Sequence, residues 1–207
     1  MLPVGVPKMS GNDFLFSLFT LLLGFILVEV LSGLMRTLRA RLPSGPGIRA
    51  DIHVGWLTPL LGTYTMLNVL LWWGTLWGML GRLPVGYDTM TIGLILCSLF
   101  YFAASMIFPD DARAWPDVDE WFWMHRRQVL GCILAANLPW MLEPFLLEKL
   151  SVSELMVNLL VESSQIIFLL LAMFARRKWL VTAALAALVA IHLSFIPLDY
   201  LHRHQVW

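Results

Sequence analysis

A chain of 207 residues in which 59% are hydrophobic and only 14% charged, with a mean hydropathy of +0.75, lies far from soluble domains, where about a quarter of residues carry charge. A formal net charge of zero offers no electrostatic footprint for nucleic acid or for an acidic substrate. Cys97 and Cys132 sit in apolar runs without a CxxC or a neighbouring histidine, which argues against a disulfide framework or a zinc site and for buried, reduced thiols.

Six apolar runs reach the roughly 20 residues that a helix needs to cross about 30 Å of hydrocarbon. They are Phe14 to Met35, Val54 to Leu80, Tyr87 to Phe108, Gln128 to Leu147, Glu154 to Ala175 and Trp179 to Leu198. None alternates as a barrel strand does, and the first run is too long for a cleavable signal. The expected fold class is all-α: a polytopic membrane protein of six transmembrane helices forming a single domain over 1–207. Lysine and arginine give the orientation, because basic loops stay in the cytoplasm. Counted from the N-terminal tail through the five loops to the C-terminal tail, the basic residues number 1, 4, 1, 3, 1, 3 and 1. That alternation supports six spans rather than five or seven, with both termini non-cytoplasmic.

Along the first helix, Asn12 and Asp13 are placed to cap the orphan amides. Glu29 follows inside the span, about two turns before Arg36. An ionisable side chain there faces protein or water, either paired with Arg36 or serving as a proton or cation site. The first loop, Thr37 to His53, contains Pro43, Gly45, Pro46 and Gly47 and reads as a bent connector. The second helix opens on His53 and Trp56 and ends in a tryptophan band at Trp72, Trp73 and Trp77, suited to the membrane-water boundary. Thr58, Thr65, Asn68, Trp72 and Thr75 share a face of it, with Asn68 suited to an interhelical hydrogen bond.

Thr91, Ser98 and Ser105 give the third helix a face of small groups for close helix contact. The chain's densest run of charge comes next, Phe108 to Arg127. Pro109 stops the third helix, and Asp117 with Glu120 three residues on has capping-box spacing, which predicts a helix from Val118. Asp110, Asp111, Asp117, Asp119 and Glu120 face the compartment of the first-loop arginines Arg36 and Arg39, so these groups are expected to form a cytoplasmic clasp. The run DDARAWPDVDE does not match the fixed spacing with which membrane lipid-modifying enzymes hold Mg²⁺.

Glu143 lies near the outer end of the fourth helix, with Asn137 and Pro139 before it and Pro144 after it. In the fifth, Ser151, Glu154, Asn158, Glu162 and Gln165 recur at spacings of 3, 4, 4 and 3, one polar stripe that cannot face lipid. His192 adds a polar group to the last helix. The ion- or proton-path candidates are therefore Glu29, Asn68, Glu143, Asn158, Glu162, Gln165 and His192. The expected arrangement is an outer vestibule separated from Glu29 by an apolar layer, and substitution of either Glu29 or Glu162 by Gln is expected to lower flux.

A channel or transporter, alone or as a homo-oligomer, is the favoured expectation. An accessory or scaffold subunit of a larger membrane complex would use the same polar groups for partner contacts. A haem carrier needs facing axial histidines, whereas His192 alone lies well inside a span. Neither the sequence pattern nor any motif specifies a cofactor or a metal.

Four stretches, EVLSGLMR (Glu29 to Arg36), HVGW (His53 to Trp56), YFAASMIFPDD (Tyr101 to Asp111) and HRR (His125 to Arg127), together resemble a family of uncharacterised bacterial inner-membrane proteins. The resemblance covers most of the first two thirds of the chain. It implies a bacterial inner membrane and six helices, and carries no activity with it.

Overall fold

The computed structural model describes residues 10–40, 53, 55–79, 84–115, 117–146 and 152–204. Among them the chain forms six α-helices: α1 Gly11–Ala40, α2 Leu57–Met79, α3 Tyr87–Ile107, α4 Val118–Leu146, α5 Val152–Phe174 and α6 Lys178–His204, with one short 3-10 turn at Ala112–Ala114. The fold is all-helical, as the runs of apolar sequence predict.

Successive helices run in opposite directions. Near the start of α1, Phe16 packs edge-on against Trp77 at the end of α2, with ring centroids 4.5 Å apart. The end of α3 meets the start of α4, where Trp121 Nε1 donates to the Met106 carbonyl (3.0 Å). The start of α4 in turn meets the end of α5, where Arg126 Nη1 donates to the carbonyls of Ala172 (3.2 Å) and Ala175 (2.7 Å). These are carbonyls that a helix C-terminus leaves unpaired, and the cation also suits the negative end of the helix dipole. The guanidinium lies 4.1 Å from the centre of the Trp123 ring. Around the bundle, α1 packs on α3, α3 on α4, α4 on α5, α5 on α6, and α6 on α2, which closes the circuit on α1 and also touches α3 and α4.

Three of these helices, α1, α3 and the Lys178–Phe195 part of α6, are long and apolar enough to cross a membrane. Six are expected from the runs of sequence, so length and apolarity alone mark half of them among the described residues. In α5 the apolar part among the described residues is the shorter Asn158–Phe174, while α2 and α4 carry Asn68 and Asn137 as buried polar groups. Such residues lower the hydropathy of a helix while facing its neighbours rather than lipid.

The divider between the two halves is held by backbone and apolar contacts. Phe108 is buried, its ring seated on α1 so closely that a Cβ on Gly33 would fall 2.6 Å from Phe108 Cδ2. His53 pairs with Asp117 in an isolated parallel bridge, through Val118 N–H donating to the His53 carbonyl (3.0 Å). Among the described residues Arg36 and Asp119 of the expected clasp take other partners, and the first-loop arginines Arg41 and Arg49 lie outside the described residues. Arg36 Nη2 lies 3.4 Å from Glu29 Oε1 on its own helix, and Asp119 pairs with Lys178 at the start of α6. Asp119 is fully enclosed, and Gly55 lies so close beneath its carboxylate that any side chain there would displace it. Asp111 accepts from Arg113 N–H to cap the 3-10 turn (2.9 Å). Asp117 caps α4 by accepting from Asp119 N–H (2.9 Å), while Asp110 and Glu120 remain exposed. Asp111 and Asp117 act locally because each sits within a turn of an orphan amide, where a short cap costs less chain entropy than a loop-to-loop pair.

The α1 cap also differs from expectation. Ser10 Oγ accepts from Asp13 N–H (3.2 Å) and Asp13 Oδ2 accepts from Ser10 N–H (3.0 Å), a reciprocal capping box one turn long. On α3 the hydroxyls of Thr91 and Ser98 donate to their own helix at Tyr87 and Leu94, so they satisfy themselves rather than bridging to a neighbour.

Candidate functional site

Polar side chains from three helices meet in the apolar core. Trp72 Nε1 on α2 donates to Asn137 Oδ1 on α4 (3.1 Å). Asn137 Nδ2 donates to Asn68 Oδ1 (3.1 Å) and to the Ile133 carbonyl (2.8 Å). Asn68 Nδ2 lies 3.1 Å from His192 Nε2 on α6, and His192 Nδ1 lies 2.9 Å from the Leu188 carbonyl. A carbonyl can only accept, so Nδ1 carries the hydrogen and Nε2 accepts from Asn68. At the other end the indole can only donate, which fixes the orientation of both amides. All four side chains are buried, as such a network must be when every member is paired. Tyr64 packs edge-on against His192 with centroids 5.2 Å apart. Its buried hydroxyl has no partner.

Beside this network lies a cavity of about 200 Å³. Asn68, Trp72 and Thr75 line it from α2, Asn137 and Trp140 from α4, and Asn158 and Glu162 from α5. The periodicity of α5 explains the last two: positions 158 and 162 lie one turn apart on the same face, and both are half-buried. Trp72 and Trp140 meet edge to face with centroids 5.1 Å apart, forming two indole walls. Glu162 has no hydrogen bond or ion pair among the described residues, whereas Glu29 has Arg36.

No family model, no curated protein and no solved structure matches this chain. What the site does is therefore read from its own chemistry.

Of the residues singled out in the sequence, Asn68, Asn158 and Glu162 converge on this cavity, and His192 is joined to it through Asn68. Gln165, one turn further along α5, is buried but is not among the lining residues. Glu143 lies on α4, and its side chain falls outside the described residues. Glu29 stands apart. It lines a separate groove of about 430 Å³ between α1 and α3, with Phe25, Cys97, Ser98 and Tyr101. Glu29 and the outer polar set thus line different cavities. Sequence reading passed over Asn137 and Trp140 as site residues. Asn137 carried the same signal as Asn68, an amide inside an apolar run. Trp140 carried none that separates a cavity wall from an interfacial anchor. Among the described residues no cluster of His, Cys, Asp and Glu could hold a metal ion.

Proposed function

We propose that this chain is a six-span integral protein of a bacterial inner membrane that conducts or transports a small cation, with the Glu162 cavity as its working site. One observation carries the reading: Glu162 is a half-buried carboxylate without a cationic partner among the described residues, set in a cavity that three helices line with amides and indoles. An ionisable group inside an apolar bundle costs on the order of 2.5–3.5 kcal/mol at mid-membrane, and no partner of Glu162 among the described residues offsets that cost. A cation that visits the cavity would.

Supporting the six spans, α2 and α5 have 23 residues and α4 has 29. At about 1.5 Å per residue these reach roughly 34 Å or more, enough to cross about 30 Å of hydrocarbon. Supporting the bilayer, large apolar side chains are exposed on the outer faces, among them Leu21, Phe25 and Val28 on α1, Ile92 and Ile95 on α3, and Leu160 and Ile167 on α5. Soluble monomers rarely expose contiguous apolar patches beyond a few hundred Å². Supporting the orientation, Arg36, Arg113, Arg126, Arg127, Arg176, Arg177 and Lys178 belong to the helix ends and connections at one end of the antiparallel bundle. Basic residues are retained in the cytoplasm, and on that reading the cavity-bearing end and both termini lie outside.

The test is cation flux into liposomes carrying the purified protein. Parent protein is expected to pass at least one member of a panel of inorganic and organic cations above empty vesicles. Glu162→Gln is expected to lower that flux at least about tenfold, equivalent to ~1.4 kcal/mol, with unchanged gel-filtration behaviour. A parent protein silent across a panel of inorganic and organic cations would remove the reading.

A further inference from the structure

The lining of the cavity distinguishes among cations. Asn137 Oδ1 already accepts from the Trp72 indole and Asn68 Oδ1 from Asn137, which leaves each one lone pair. Thr75 donates its own hydrogen to the Leu71 carbonyl (2.8 Å), which leaves it one weak acceptor. Among the lining side chains, fully uncommitted oxygens therefore remain on Glu162, Asn158 and Thr75. A hard inorganic cation that sheds its water needs about six or more oxygens in a tight shell, and here the amide oxygens of Asn68 and Asn137 are held in place by the hydrogen bonds they already accept. What the cavity has instead is one carboxylate and two indole walls. That is the combination that recognises an organic ammonium, whose charge is spread over methyl or methylene groups and is met by a ring face rather than by an oxygen shell. The cavity, at about 200 Å³, is smaller than the ~300–1,000 Å³ of drug-sized sites, so its guest has few heavy atoms.

We infer that the Glu162 cavity binds a small organic ammonium ion, with Glu162 as its counter-charge and Trp72 and Trp140 as its aromatic walls. The inference rests on the reading of this cavity as the working site, and names the class of cation that enters it.

Calorimetric titration of the full chain in mild detergent tests this with three probes: choline, its neutral isostere 3,3-dimethylbutan-1-ol, and KCl. Choline is expected to bind saturably, and the isostere, which differs by one charge, at least about tenfold more weakly. Glu162→Gln is expected to reduce choline affinity at least about tenfold, and Trp140→Leu by about five- to tenfold. Trp140 is the better wall to change, since Trp72 also holds Asn137 in place. Glu29→Gln serves as the matched carboxylate control and is expected to leave choline binding unchanged. Equal binding of choline and its isostere, no choline binding to the folded parent, or undiminished choline binding by both the Glu162 and the Trp140 variant would each overturn the inference. Glu162-dependent flux of inorganic cations, without choline binding, would overturn it while leaving the transport reading standing. Choline binding with no flux of any cation would remove the transport reading and leave the binding site.

Discussion

Two glutamates lie inside apolar helices of this chain, and their surroundings make them different residues. Glu29 has Arg36 two turns along the same helix, 3.4 Å away, and faces a groove between α1 and α3. Glu162 has no such neighbour and faces a cavity that α2 and α4 line with amides and indoles. From composition and position in the run, both read as candidate sites. The difference arises between helices: α1 supplies its own counter-ion, whereas α5 faces two helices whose polar groups are already committed to one another. A carboxylate with an intrahelical partner is a structural feature, and one without is an open valence.

The largest expected effect that separates them is Glu162→Gln, which removes the open charge and is expected to lower cation flux at least about tenfold. Next comes the framework that walls the cavity. Asn137→Leu strands the Trp72 indole and Asn68 Oδ1 together, and is expected to cost about 1–2 kcal/mol, read as a lower melting temperature in detergent. If that variant melts like the parent, the three-helix network is not what shapes the Glu162 side. Glu29→Gln is expected to be milder. Loss of a partly exposed pair costs about 0–1 kcal/mol, and flux should stay within about twofold of the parent. A loss of flux equal to that of Glu162→Gln would erase the contrast and put Glu29 back on the path. Smallest is Tyr64→Phe, which removes a buried hydroxyl without a partner. The expected change is neutral to about 1 kcal/mol stabilising, and a marked loss of stability would reveal a partner for that hydroxyl.

Much of the fold was legible because helix periodicity and proline or cap signals are local. The α4 start at Val118 follows from Asp117, and the stop of α3 from Pro109. The α5 stripe was legible too, as a spacing of polar residues along one face. Its partners were not, because no spacing within a helix states which helix it will meet. Asn68, Asn137 and His192 lie 69 and 55 residues apart in succession, and only packing reveals that they form one chain of hydrogen bonds. The partners of the clasp residues were hidden for the same reason. Charge pattern placed the acids and the arginines in one compartment, but Asp119 found Lys178 from the α5–α6 turn, and Arg36 found Glu29 behind it. Arg126 read as one more topological arginine, since its capping of α5 depends on a contact 46 residues away.

The chain from Trp72 to His192 has one further consequence. Hopping conduction needs atoms that take a proton on one side and release one on the other, as hydroxyls, waters, carboxyls and imidazoles do. Here two of the four members are carboxamides, whose nitrogens give hydrogens and whose oxygens receive them, and the first member is an indole that only gives. With each link pointing the same way, the network is a strut and not a wire. A proton path, on the proposed reading, would have to bypass this strut, past His192 rather than through it.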